Sequence, residues 1–103
     1  MVRESVGDRW GNEIYLTDER WQHILETHEE MTNHRGYLFE TLRTGQRRQD
    51  EFDPSKYKYS KKFIDLPGDF THVVVVVKFS QQVTARGEVP NNFVLTAYQV
   101  SRS

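Results

Sequence analysis

The chain has 103 residues, no cysteine and a formal net charge of −1. That length suits a single domain with a thin stability margin, and the lack of cysteine excludes a disulfide framework and any thiolate metal site while suiting a reducing, cytoplasmic setting. The longest apolar run, Val73 to Val77, is far too short for a membrane helix, and Met1-Val2-Arg3-Glu4-Ser5 lacks the apolar stretch of a signal peptide, so neither a membrane partner nor export is expected.

Residues 1–12 are polar and contain Gly7 and Gly11, which reads as an N-terminal arm preceding one domain over 13–103. Glu13 to Leu16 alternates, as a short strand or an extended lead-in does. Thr17 is a good N-cap, and Asp18 and Glu19 complement the dipole of the turn it opens. Trp21, Ile24, Leu25, His28 and Met31 recur at helical spacing, which predicts a first helix running to about Met31. A second helix is expected over 34–44, with Gly45 as its left-handed C′ residue.

After Gly45 the period drops from about four to two. Strands are expected over 46–52, 56–64, 71–79 and 92–100, with residues 80–91 as a hairpin connection. The unbroken valines put the third of these at the centre of the sheet. Short connections require antiparallel pairing. The expected fold class is therefore α+β: two N-terminal helices packed on a four-stranded antiparallel sheet.

Charge is unevenly divided. Residues 1–45 carry five Arg or Lys against nine Asp or Glu, and residues 46–103 carry nine against six. The positive excess falls on the predicted sheet, as on a polyanion-binding face or on a solvated surface of mixed sign. Lys56, Lys58 and Ser60 share one face of their strand; Tyr57, Tyr59 and Lys61 share the other. Cations beside aromatic rings suit single-stranded RNA, and lysines also protect edge strands from aggregation. Arg47 and Arg48 point to opposite faces, so one of them can hold a phosphate with its planar fork. Lys78 marks where the valine strand leaves the core.

Thr96 and Tyr98 share a face of the last strand and offer two hydroxyls. His23 and His28 are five residues apart, which is not the spacing of a pair chelating one metal ion, so no metal and no cofactor is expected. Either histidine can be a core or surface residue, or a proton shuttle.

Trp21-Gln22-His23-Ile24-Leu25-Glu26-Thr27-His28-Glu29-Glu30 resembles the H-I-x-x-x-H-P-E helix of the barnase–EndoU–colicin–RelE-like nucleases of phages and mobile elements. The valine strand ending at Lys78, and Val94-Leu95-Thr96-Ala97-Tyr98, are similar to that family's closing strands. The family's proline is Glu29 here, which removes a helix terminator. The resemblance implies a metal-independent endoribonuclease, a toxin or mobile-element effector with an RNA substrate and an antitoxin or inhibitor protein as partner. It assigns catalysis to His23, His28, Arg47 or Arg48, Thr96 and Tyr98. Charge and position add Lys56, Lys58, Tyr59, Lys61 and Lys78 as RNA-binding residues. The rival expectation is an RNA- or protein-binding module without chemistry.

Overall fold

A computed structural model describes residues 2–102; Met1 and Ser103, the outer ends of the two expected segments, lie outside the described residues. Two strands precede the helices: β1 (Arg3–Gly7) and β2 (Glu13–Thr17). Then come α1 (Asp18–Thr27), a 3-10 turn (Glu29–Met31), α2 (Arg35–Thr44), β3 (Gln46–Gln49), β4 (Lys56–Lys62), β5 (His72–Lys78), β6 (Gln81–Thr84), β7 (Gly87–Pro90) and β8 (Asn92–Val100). The main sheet has six strands in the order β1-β2-β8-β5-β4-β3, and β6 and β7 form a separate two-stranded ribbon.

The expected four-stranded antiparallel sheet is thus corrected to a six-stranded mixed one. Strands β3, β4, β5 and β8 pair antiparallel as neighbours, but β2 joins β8 in parallel. The whole chain between β2 and β8 serves as the long crossover that a parallel pair needs. Residues 3–7, expected to be part of an arm, form an antiparallel edge strand with β2, register Val6 to Ile14. Their side chains are mostly exposed, so they carry no apolar alternation to read. The turn that returns the chain is built by Asp8, whose Oδ1 accepts from the backbone N–H of Trp10 (2.9 Å) and of Asn12 (2.8 Å), and by Gly11 at φ +83°.

The Thr17 side chain accepts from the Arg20 N–H at 3.1 Å and caps α1 as its sequence predicts. The helix stops at Thr27 rather than Met31, even without the proline. Thr27 turns its hydroxyl back to the carbonyls of His23 and Ile24, which competes with helix propagation. Beyond His28 the 3-10 turn lowers Met31 into the core and brings Glu30 to the free edge of β8. There the Glu30 carbonyl accepts from Gln99 Nε2 at 2.9 Å, and its carboxylate accepts from the Gln99 N–H at 3.3 Å. An edge N–H that β2 does not reach is satisfied in this way.

Gly45 ends α2 in an extended conformation, φ −74° and ψ 170°, not the expected left-handed one. Its lack of a side chain has another cause. A Cβ there would lie 2.4 Å from the Thr41 carbonyl oxygen and 2.7 Å from that of Ser60, so only glycine lets α2 turn into β3 against β4.

Both helices cover one face of the sheet. Ile24, Met31, Leu38 and Leu42 bury against Ile14, Leu16, Val73, Val75, Val77, Val94 and Ala97. Each buried Val, Leu or Ile stabilises the fold by about 1.5–3 kcal/mol relative to exposure. The opposite face has no helix over it.

Candidate nucleic-acid interface

Strand register fixes what the open face presents. Reading across β3, β4, β5 and β8, one row is Arg48, Lys58, Val76 and Thr96; the next is Gln46, Ser60, Val74 and Tyr98. Beyond them lie Lys62, His72 and Val100 at one end and Lys56, Lys78 and Phe93 at the other. A bulge between Val76 and Val77 shifts the register with β8, so that Thr96 and Tyr98 stay on this face while Val94 turns to the core. Three strand spacings, about 14 Å, separate Thr96 from Arg48.

α1 runs along the free edge of β8 and delivers both histidines to it. His23 lines a cleft of about 980 Å³ with Arg20, Glu26, Tyr15, Phe93 and Val94. The His28 ring lies 5.5 Å from the Tyr98 ring, with Nδ1 3.7 Å from a Glu30 carboxylate oxygen. The two histidines therefore reach β8 on either side of Thr96, about 7.5 Å apart along the helix axis. His28 is half-buried, as an edge residue between helix and sheet.

The face carries a positive field. Arg102, just past β8, donates to the Ser60 hydroxyl at 3.3 Å. His72 is held below its ordinary pKa by burial first, and then by the Arg102 and Lys62 charges that disfavour a third cation beside them. Lys78 is engaged: its ammonium donates to Ser55 Oγ at 2.5 Å and to Asp53 at 3.2 Å, which ties the end of β5 to the β3–β4 loop. Hydrogen bonds donated by the Ser55 hydroxyl and N–H, and then the Lys78 ammonium, hold the Asp53 carboxyl down at about 2. Lys56 sits 3.9 Å from the same carboxylate.

Other residues expected in the site lie elsewhere. Arg47 points to the covered face, 3.6 Å from the Asp8 carboxylate and 3.4 Å from the Tyr59 hydroxyl, with its guanidinium 4.3 Å from the Trp10 ring centroid and 4.6 Å from that of Tyr57. Tyr59 is 0% exposed and donates its hydroxyl hydrogen to Asp8 at 2.5 Å. Burial, and then the Asp8 hydrogen bond, raise the phenol well above its ordinary pKa. On Asp8, burial pushes the pKa up, but the hydrogen bonds from Tyr59, Asn12 and Trp10 outweigh it and leave the carboxyl below its usual range. Arg47 and Tyr59 therefore close the β1–β2 turn over the sheet and take no part in the open face. Lys61 shares Tyr59's side of the strand and donates to Thr44 Oγ1 at 2.5 Å.

Arg102, His72 and Ser60 also lie on the open face; pattern placed Ser60 beside Lys58 but offered none of the three as a candidate site residue. Arg102 falls just after the last strand, where no periodicity exists. Among the described residues no group of three or more His, Asp or Glu is arranged to hold a metal ion. Among the described residues no helix is long and apolar enough to cross a membrane. No protein-family model, curated protein or solved structure matches the chain.

Proposed function

We propose that the chain is a metal-independent endoribonuclease acting on single-stranded RNA laid across the open face of the sheet. The observation that carries this reading is the alignment of α1 with β8: His23 lines a cleft with Phe93 and Val94, His28 packs against Tyr98, and Thr96, between those positions in the strand, shares a row with Lys58 and Arg48.

The chemistry is transesterification. One imidazole takes the proton of a 2′-hydroxyl, the oxygen attacks the adjacent phosphorus, and the other imidazole protonates the 5′-oxygen as it leaves. The products are a 2′,3′-cyclic phosphate and a 5′-hydroxyl. Lys58 and Arg48, two and three strands from Thr96, hold other phosphates of the same RNA as it crosses the sheet. Thr96 and Tyr98 position the nucleotide. Arg48, not Arg47, takes the guanidinium role, because Arg47 is held against the buried Asp8 on the covered face while Arg48 and its Glu51 partner are solvent-exposed. In this reading the chain is a cytoplasmic toxin or mobile-element effector, and an inhibitor protein acts by covering the same face.

Incubation with single-stranded or transfer RNA in EDTA, between pH 5 and 9, tests it. Fragments with 2′,3′-cyclic ends are expected, and they disappear with His28→Ala. Products with 5′-phosphates that require magnesium, or no cleavage at any of these pH values, overturn it. RNA retained on the same face without cleavage is the outcome of the rival reading, a binding module. The Glu30 carboxylate close to His28 favours that rival, because it gives the imidazole a purely structural partner.

A further inference from the structure

Phe52 is 93% exposed, although it sits in a loop that is held tightly. Asp50 Oδ1 accepts from the Phe52 N–H at 2.8 Å and from the Asp53 N–H at 3.0 Å. Gln49 Nε2 donates to the Pro54 carbonyl at 2.8 Å, and Asp53 Oδ1 accepts from the Ser55 N–H at 3.0 Å. The ring is thus presented to solvent by a loop with little freedom to bury it. It borders a cleft of about 610 Å³ whose walls include Arg48, Lys58, Ser60 and Arg102.

Two carboxylates also border that cleft, and each is engaged. Glu51 lies 3.8 Å from Arg48, and Asp50 is turned into the loop it organises. Backbone hydrogen bonds from Phe52 and Asp53 lower the Asp50 pKa, as expected of a carboxylate committed to those donors. What remains is a flat apolar ring beside cations from β3, β4 and the segment after β8, with Arg48 in a solvent-exposed pair that a phosphate can displace. Nucleobases stack on aromatic rings while cations hold the phosphates between them, and a base offers its face only when it is unpaired.

We propose that Phe52 is a stacking platform for an unpaired nucleobase, and that Arg48, Lys58 and Arg102 hold the adjoining phosphates. This inference rests on the nuclease reading for its ligand class, but it concerns binding and not chemistry. The site lies at the β3 edge, about 14 Å from Thr96, so it grips a nucleotide distant from the bond being cut and selects single strands over duplexes.

The probe is a fluorescein-labelled eight-nucleotide oligothymidylate, which lacks a 2′-hydroxyl and cannot be cleaved. Wild-type protein is expected to bind it, and Phe52→Ala to bind about 5- to 100-fold more weakly, the range that one base–aromatic stack supports, with an unchanged thermal midpoint. Phe52→Trp is expected to bind like wild type, and its added indole emission to be quenched on binding. Equal affinity of wild type and F52A, an unquenched F52W, or equal affinity for an eight-base-pair duplex overturns the proposal. RNA left intact by a protein that still passes these binding tests refutes the nuclease reading and supports this one.

Discussion

The two faces of the sheet are built from the same strands and do opposite work. On β3, Arg47 enters the covered face, 21% exposed and facing Asp8, while Arg48 stands 83% exposed on the open face. On β4, Tyr59 is wholly buried while its neighbour Lys58 is exposed. The lesson is that residue type alone does not make a binding face. A guanidinium can serve as a phosphate ligand where it and its carboxylate partner stand in solvent, as Arg48 and Glu51 do, and not where the pair is buried, as Arg47 and Asp8 are; the alternation of a strand decides which of two adjacent arginines is exposed.

The sharpest break of this comparison is catalytic. His23→Ala and His28→Ala are each expected to lower cleavage by about 10²- to 10⁴-fold, the usual worth of a positioned proton donor or acceptor, without moving the urea midpoint by much. If only His28 behaves so, His23 serves the cleft and not the reaction. Next in size is the covered face. Asp8→Ala removes the ion-pair partner of Arg47 and the acceptor of the Tyr59 hydroxyl and of the Trp10 and Asn12 N–H groups, and is expected to cost about 2–3 kcal/mol in urea unfolding while oligonucleotide affinity stays unchanged. A loss of affinity at unchanged stability would move Arg47 back into the binding site.

A smaller effect separates the two arginines directly. Arg48→Ala or Lys58→Ala is expected to reduce the salt slope of single-strand binding, log K against log salt, by about 0.7 each, and Arg47→Ala to leave it unaltered. The smallest effect is a titration. His72 ionises below its ordinary value because of burial first and then the Arg102 and Lys62 charges, so a bound polyanion that offsets those charges is expected to raise its pKa, read from its ring proton by NMR. An unmoved His72 would confine the ligand to the β3 end of the face. The sign for stability follows from the same shift. The unfolded chain takes up this proton at a higher pH than the folded one, so the contribution of His72 to stability falls as pH drops below about 6.5.

Much of the local structure was legible because local forces set it. Thr17 with Asp18 and Glu19 announces a helix start, Val73 to Val77 a central strand, and Lys58 with Ser60 one face of β4. Gly45 was correctly placed at the end of α2 but for the wrong reason, since its requirement comes from β4 passing 2.7 Å from where a Cβ would be. The strand at Arg3–Gly7 had no alternation to find, because both of its sides are largely exposed. The turn that follows α1 is held by Gln99, which is 69 residues from Glu30 in the chain and reaches its carbonyl only in the folded state.

The sequence by itself determined where both helices start, the four strands after Gly45 that join the main sheet and the alternation that sorts lysines from valines, because those follow from neighbours within a few positions. The strand at Arg3–Gly7, which histidine meets which strand, whether Arg47 or Arg48 stays exposed, and how β2 joins β8 in parallel were decided only by the tertiary structure. They depend on contacts between segments far apart in the chain, and no local pattern encodes a partner that arrives from forty or eighty residues away.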